Sequence, residues 1–207
     1  MLCFIPNFFR YLTLLLAMPL LAVAGNDLAE IGDANAPPPL IAQTCFACHG
    51  PYGQSLSPAI PSIAGLPKAY LFDVLQAYRH GGRIGTIMDR LTKAYRDNKL
   101  NELADYFSRQ PYLPHKQTIR WELVDLGRQL HRRYCMDCHG DATHKADEGV
   151  PVLYGRWMDY LRWTLRDYFV GINQGDEEMA KQLARLMRSH GQDGLEALIH
   201  YYGKAKP

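Results

Sequence analysis

The sequence predicts an all-α protein made of two tandem, duplicated units behind an export signal. Three observations carry that expectation. The apolar stripes have helical spacing, a shift of 90 residues lays one half of the chain on the other, and residues 1–24 have the layout of a secretory leader. Tyr70, Leu71, Val74, Leu75 and Tyr78 form one stripe, with Pro67 at a first-turn position and Gly81-Gly82 closing it. Leu100, Leu103, Ala104 and Phe107 form a second. Tyr160, Leu161, Leu165, Tyr168 and Phe169 repeat the first, and Leu195, Leu198, Ile199 and Tyr202 the second. A further helix starts at Asp176-Glu177-Glu178, acids suited to a helix N-terminus, and runs through Leu183, Leu186 and Met187. No segment alternates convincingly as a strand does.

The duplication is legible residue by residue. Pro61 falls on Pro151, Gly65 on Gly155, Tyr70-Leu71 on Tyr160-Leu161, Tyr78 on Tyr168 and Gly81 on Gly171. Near the ends the shift becomes 95, which lays Leu100, Leu103 and Tyr106 on Leu195, Leu198 and Tyr201. A loop insertion between helices accounts for the slip of five. The domain expectation is a signal peptide at 1–24, a polar lead-in at 25–39, a first unit at 40–110, a linker at 111–118 and a second unit at 119–207. Pro111 and Pro114 mark the boundary, because proline ends the preceding helix.

Composition narrows the function classes. With 47% hydrophobic residues, the 207-residue chain is neither disordered nor fibrous. The balance of 23 Lys+Arg against 21 Asp+Glu argues against a nucleic-acid footprint. Residues 37–118 carry nine basic and five acidic residues, residues 119–207 thirteen of each, so the first unit is the basic one. Leu12 to Ala24 is an apolar run interrupted by Pro19 and ending in the cleavage pattern Ala22-Val23-Ala24. It is too short for a bilayer core of ~30 Å, so a cleaved signal is favoured over an anchor, no integral membrane segment is expected after cleavage, and the compartment is the periplasm.

Cys3 leaves with the signal, and the four remaining cysteines form two identical motifs. These are Cys45-Phe46-Ala47-Cys48-His49 and Cys135-Met136-Asp137-Cys138-His139, each followed by glycine. C-x-x-C-H is the attachment pattern of c-type haem. Two thiols about one helical turn apart reach two vinyl groups of one porphyrin, and the next residue brings an imidazole under the iron. A zinc site would hold its pairs about 15–20 residues apart, whereas 86 residues separate Cys48 from Cys135. A thioredoxin-like pair would need a βαβ context. Two ordinary disulfides leave the following histidines unexplained.

The other axial position decides whether the iron is open. Met88 lies 39 residues after His49, and Met179 lies 40 residues after His139. Those matched intervals select them over Met136 in the attachment turn, Met158 at a helix start and Met187 in the core. His80 and His144 are the rival ligands, and His115, His131, His190 and His200 read as surface or supporting residues. No catalytic triad, P-loop or dinucleotide fingerprint is present, since the glycines of Gly81 to Gly85 do not follow a strand.

On these residues the chain resembles di-haem cytochromes c of the cytochrome c4 superfamily, and within it the haem subunit of flavocytochrome c sulfide dehydrogenase. The likeness is carried by TCFACHG, PAIPSIAGLPKAYLFDVLQAYRHG, TIMDRLTKAY, YCMDCHG and GDEEMAKQLARLM, and extends over nearly all of residues 25–207. It implies two tandem cytochrome c-like domains, two covalently bound haem c groups, and His49/Met88 and His139/Met179 as axial pairs. It also implies an FAD-containing flavoprotein partner that oxidises sulfide, and a soluble electron acceptor. The chain itself would transfer electrons without catalytic residues of its own. A free carrier between a respiratory complex and a terminal oxidase is the alternative, and a di-haem peroxidase or sensor the third. Cys48→Ala or Cys138→Ala should leave one haem singly attached or absent. A pyridine haemochrome spectrum unchanged in both amount and linkage would contradict the expectation.

Overall fold

The structure, a computed structural model, describes residues 37–141, 149–173 and 177–204. The expected signal at 1–24, most of the lead-in and His144 lie outside the described residues. The helices are α1 (Leu40–His49), α2 (Lys68–His80), α3 (Met88–Lys93), α4 (Asp97–Ser108), α5 (Val124–Tyr134), α6 (Met136–His139), α7 (Met158–Phe169) and α8 (Glu177–Gly203). No strand occurs among the described residues. A lone antiparallel bridge pairs Arg83 with Asn173, its own counterpart under the 90-residue shift.

Each half buries its stripes in its own core. Leu71, Leu100, Leu103, Ala104 and Phe107 meet in the first, where α2 packs on α4. Leu161, Leu165, Leu186, Leu198 and Ile199 meet in the second, where α8 packs on α5 and α7. Leu100, Leu186, Leu198 and Ile199 are essentially sealed from water, each burial being worth about 1.5–3 kcal/mol. The repeat extends to backbone geometry. The Gly65 N–H donates to the Phe107 carbonyl at 2.9 Å, and the Gly155 N–H to the Tyr202 carbonyl at 2.7 Å. Both glycines are left-handed, at φ 67° and 68°, which a side chain would strain.

The halves also diverge. α1 runs unbroken through its cysteines, but the corresponding helix breaks at Cys135 (φ −126°, ψ −26°) into α5 and α6. The slip of five residues is not an inserted loop. From Met88 to the N-cap Arg96 of α4 the first half holds a six-residue helix and a turn, whereas from Met179 the second stays helical to Gly191 (φ 58°). Four of the five extra residues lie in this stretch, which is about one helical period longer and helical throughout in the second half.

α5 and α8 cross at Gly127. A Cβ there would fall on the Ala197 carbonyl oxygen and lie 2.7 Å from Tyr201 Cβ. Gly127→Ala should therefore destabilise the haem-loaded protein by about 1–3 kcal/mol through forced separation of the helices. Thermal unfolding reads this directly, and an unchanged midpoint would show that the crossing relaxes freely.

Candidate haem sites

The first attachment turn is the C-terminal end of α1. Helical spacing puts Cys45, Cys48 and His49 in one turn and a half, and Gly50 ends the helix with its N–H on the Phe46 carbonyl at 3.0 Å. His49 is buried, and its Nδ1 lies 2.8 Å from the Pro61 carbonyl. A carbonyl only accepts, so Nδ1 carries the proton and Nε2 keeps its lone pair. Burial pushes the His49 pKa down, against the opposing effect of that hydrogen bond, which favours the neutral imidazole a metal requires. Cys45 and Phe46 pack against the first core, while Cys48 is exposed. Met88 begins α3, which packs on α2. The Thr92 hydroxyl donates to the Met88 carbonyl at 2.8 Å.

In the second half, Cys135, His139 and Met179 line one apolar cleft. Leu153, Leu161, Leu165, Leu183, Leu186 and Leu198 supply most of its remaining wall. One thiol, one imidazole and one thioether facing an apolar slot between helices form a donor set that fits a covalently tethered porphyrin. Cys138 is exposed and outside that lining. No two of Cys45, Cys48, Cys135 and Cys138 form a disulfide. Among the described residues no cluster of three or more His, Cys, Asp or Glu side chains could hold a bare metal ion. Of the rival ligands, His80 is exposed at the C-terminal end of α2.

Three histidines expected at surface or supporting positions are deeply buried and hold segments together. His131 is 1% exposed, with Nε2 2.7 Å from the Gly140 carbonyl, just beyond His139. Nε2 must donate there, so Nδ1, 2.9 Å from the Tyr202 hydroxyl, accepts. The same hydroxyl interacts with Cys135 Sγ. Burial is the largest influence on His131 and lowers its pKa. In the first half these positions are Ile41 and Phe107, so this polar brace belongs to the second turn alone. The exchange of Ile for His and Phe for Tyr was visible in the aligned halves, but only their burial shows that the pair meets.

Polar groups also join the halves. His115 stacks on Trp157 with ring centroids 4.1 Å apart and meets Ser62 Oγ through Nε2 at 2.8 Å. Burial first, then the Arg156 charge, pushes its pKa down to about 4, so the stacked ring is neutral. Arg156 donates to the Ser62 carbonyl at 2.7 Å, and Trp157 Nε1 to the Ser55 carbonyl at 3.1 Å. Within the second half, the Arg120 N–H donates to His200 Nδ1 at 3.2 Å. Around the bridge, buried Arg83 lies 3.5 Å from the Tyr160 hydroxyl and 5.1 Å from the centre of the Tyr78 ring. Tyr70 beside it is pushed up to about 12, chiefly by burial.

His131→Ile should cost about 1–3 kcal/mol, because Tyr202 and the Gly140 carbonyl lose their partner. The double variant His131→Ile/Tyr202→Phe, which restores the first-half pair, should recover part of that loss in thermal unfolding. Additive losses would show that the two residues do not act together.

Comparison with known proteins follows the same lines. No protein-family model matches the chain. It is 31% identical over 187 residues to cytochrome c-552 of Acidithiobacillus ferridurans, covering 83% of this chain and 81% of that protein. It is 30% identical over 187 residues to cytochrome c4 of Pseudomonas aeruginosa, covering 84% and 87%. The cytochrome subunit of sulfide dehydrogenase from Chlorobaculum tepidum is 34% identical over 103 residues, which is 93% of that protein but 45% of this chain. The crystal structure of reduced cytochrome c4 from Pseudomonas stutzeri superposes with a TM-score of 0.68 at 26% identity, over 84% of this chain and 100% of that one. With its all-α tandem fold and its paired C-x-x-C-H turns, the chain belongs to the cytochrome c4 family of electron-transfer proteins and carries two covalently bound haem c groups.

Proposed function

We propose that this chain is a periplasmic electron-transfer subunit in which each half, 40–110 and 119–207 about the linker 111–118, holds one six-coordinate haem. Cys45 and Cys48 tether the first and Cys135 and Cys138 the second, with His49/Met88 and His139/Met179 as axial pairs. The single observation that carries this reading is the convergence of Cys135, His139 and Met179 on one apolar cavity. Matched sequence intervals extend it to the first half.

A bound haem c supplies a one-electron iron couple. The chain's residues do the rest. Cysteine thioethers prevent loss of the group, and a neutral histidine, fixed at Nδ1 in the first half, offers Nε2 to the iron. Met88 and Met179 would supply sulfur as the remaining ligand, which would leave substrate no open position and hold the potential above that given by a second histidine. Leucine walls keep water out. Electrons therefore enter and leave at the periphery, one at a time, with no bond made or broken in a substrate.

The donor in this reading is an FAD-containing flavoprotein that oxidises sulfide, and the acceptor a soluble cytochrome or similar protein. The likeness to the sulfide dehydrogenase cytochrome subunit supports it. That likeness covers less than half of the chain, whereas cytochrome c4 matches most of it, which favours a free carrier as the second reading. Purification from the native host separates the two: an equimolar FAD protein supports the first, and a stable haem protein alone supports the second. Met88→Ala should lower one of the two potentials, within the ~0.8 V span that axial ligands govern, and admit carbon monoxide to that iron. An unchanged redox titration would remove Met88 from the site.

A further inference from the structure

The two methionine-bearing helices, laid on each other at Met88 and Met179, differ in what they turn to solvent. On α3 the positions one before, three after and six after the methionine are Ile87, Leu91 and Ala94, all exposed. On α8 the same positions are Glu178, Gln182 and Arg185, which hydrogen-bond in series. Gln182 Nε2 donates to Glu178 Oε1 at 2.8 Å, and Arg185 donates to Gln182 Oε1 at 3.0 Å. The i, i+4, i+7 spacing keeps each set on one helical face. One copy thus satisfies its surface with its own polar groups, and the other leaves an apolar strip uncovered.

Scattered surface hydrophobics are ordinary, but contiguous ones mark a contact. Ile87 is 49% exposed, Leu91 46%, and Ile84 on the preceding loop 61%. Arg90 and Lys93 border the strip on one side of α3 and Arg96 follows its end, all exposed, and none forms an ion pair with a described residue. Asp89 is the one acid in this stretch, and one of its carboxylate oxygens is buried. Thr92, buried, marks the opposite face of α3. Cations without an ion-pair partner among the described residues thus flank an apolar strip on one side, on the half with the excess of basic residues.

We propose that the Ile84–Arg96 surface is a docking site for an acidic redox protein, so that intermolecular electron exchange with such a partner takes place at the first half. Uncompensated cations steer an acidic partner, and the apolar strip gives the encounter complex a small dry centre. Small interfaces of this kind suit partners that bind and leave at every turnover. The position next to the capping methionine rests on the ligand reading proposed above; the docking surface does not.

The test uses the reduced haem-loaded protein and plastocyanin, a high-potential acidic copper protein, as the probe in stopped-flow oxidation. The second-order rate should fall as salt rises. Ile87→Glu/Leu91→Gln, which copies the second half's surface, should slow it about tenfold or more. Arg90→Glu/Lys93→Glu should reverse the salt dependence, whereas Lys181→Glu, at the register of Arg90, should leave the rate unchanged. Visible spectra and potentials of the variants should match the parent, which separates this outcome from failure of the Met88 assignment. Rates insensitive to these substitutions overturn the proposal. So does a parent protein that self-associates through this strip in sedimentation, or one that binds anionic phosphatidylglycerol vesicles through it while its plastocyanin kinetics stay unaffected.

Discussion

Everything in this molecule depends on one local constraint, the C-x-x-C-H turn. Two cysteines and a histidine within about one and a half turns of helix fix which face of that helix looks at the cofactor. The rest of each half then has to bring an apolar wall to that face, and in the second half α7 and α8 do so. The pairing of His49 with the Pro61 carbonyl shows how far the constraint reaches: a residue twelve positions on fixes the tautomer of the imidazole. A cofactor held this way becomes part of the core, which explains how units of this size remain stable.

Duplication supplied two copies of that solution, and the differences between them are informative because the scaffold is shared. The second attachment turn is kinked at Cys135 and braced by His131 and Tyr202, where the first has Ile41 and Phe107. Its methionine-bearing helix runs from Glu177 to the kink at Gly191, where α3 spans six residues. The copies meet through equivalent residues, Arg83 opposite Asn173 with Tyr70, Tyr78 and Tyr160 around them. Burial works against the Arg83 charge, and the Tyr160 hydroxyl and the face of the Tyr78 ring offset part of that cost while the guanidinium stays protonated. A buried cation set among tyrosines at the junction ties the halves together at the cost of desolvation, which favours one fixed arrangement of the two units over raw stability.

Much of this was legible in the sequence because it is local. The attachment turns, the helical stripes and the paired glycines Gly65 and Gly155 all follow from short-range geometry. The added turn at the head of α8 was misread as a loop, since an insertion of about one helical period preserves the stripe on both sides. The buried roles of His115 and His131 were hidden for a different reason. A histidine's partners are set by packing between segments far apart in the chain, such as Tyr202 for His131 and Trp157 for His115. The exposure of Ile87 and Leu91 likewise appears only once α3 shows which of its faces is buried.

The central claim is that both irons are capped by methionine in an otherwise apolar setting. The proton spectrum of the fully reduced, diamagnetic protein tests it most directly. Porphyrin ring current shifts the methyl protons of an axial methionine far upfield, out of the envelope of all other side chains. The account predicts two such three-proton singlets, one lost in Met88→Ala and the other in Met179→Ala. A single singlet, none, or two that survive either substitution would contradict it.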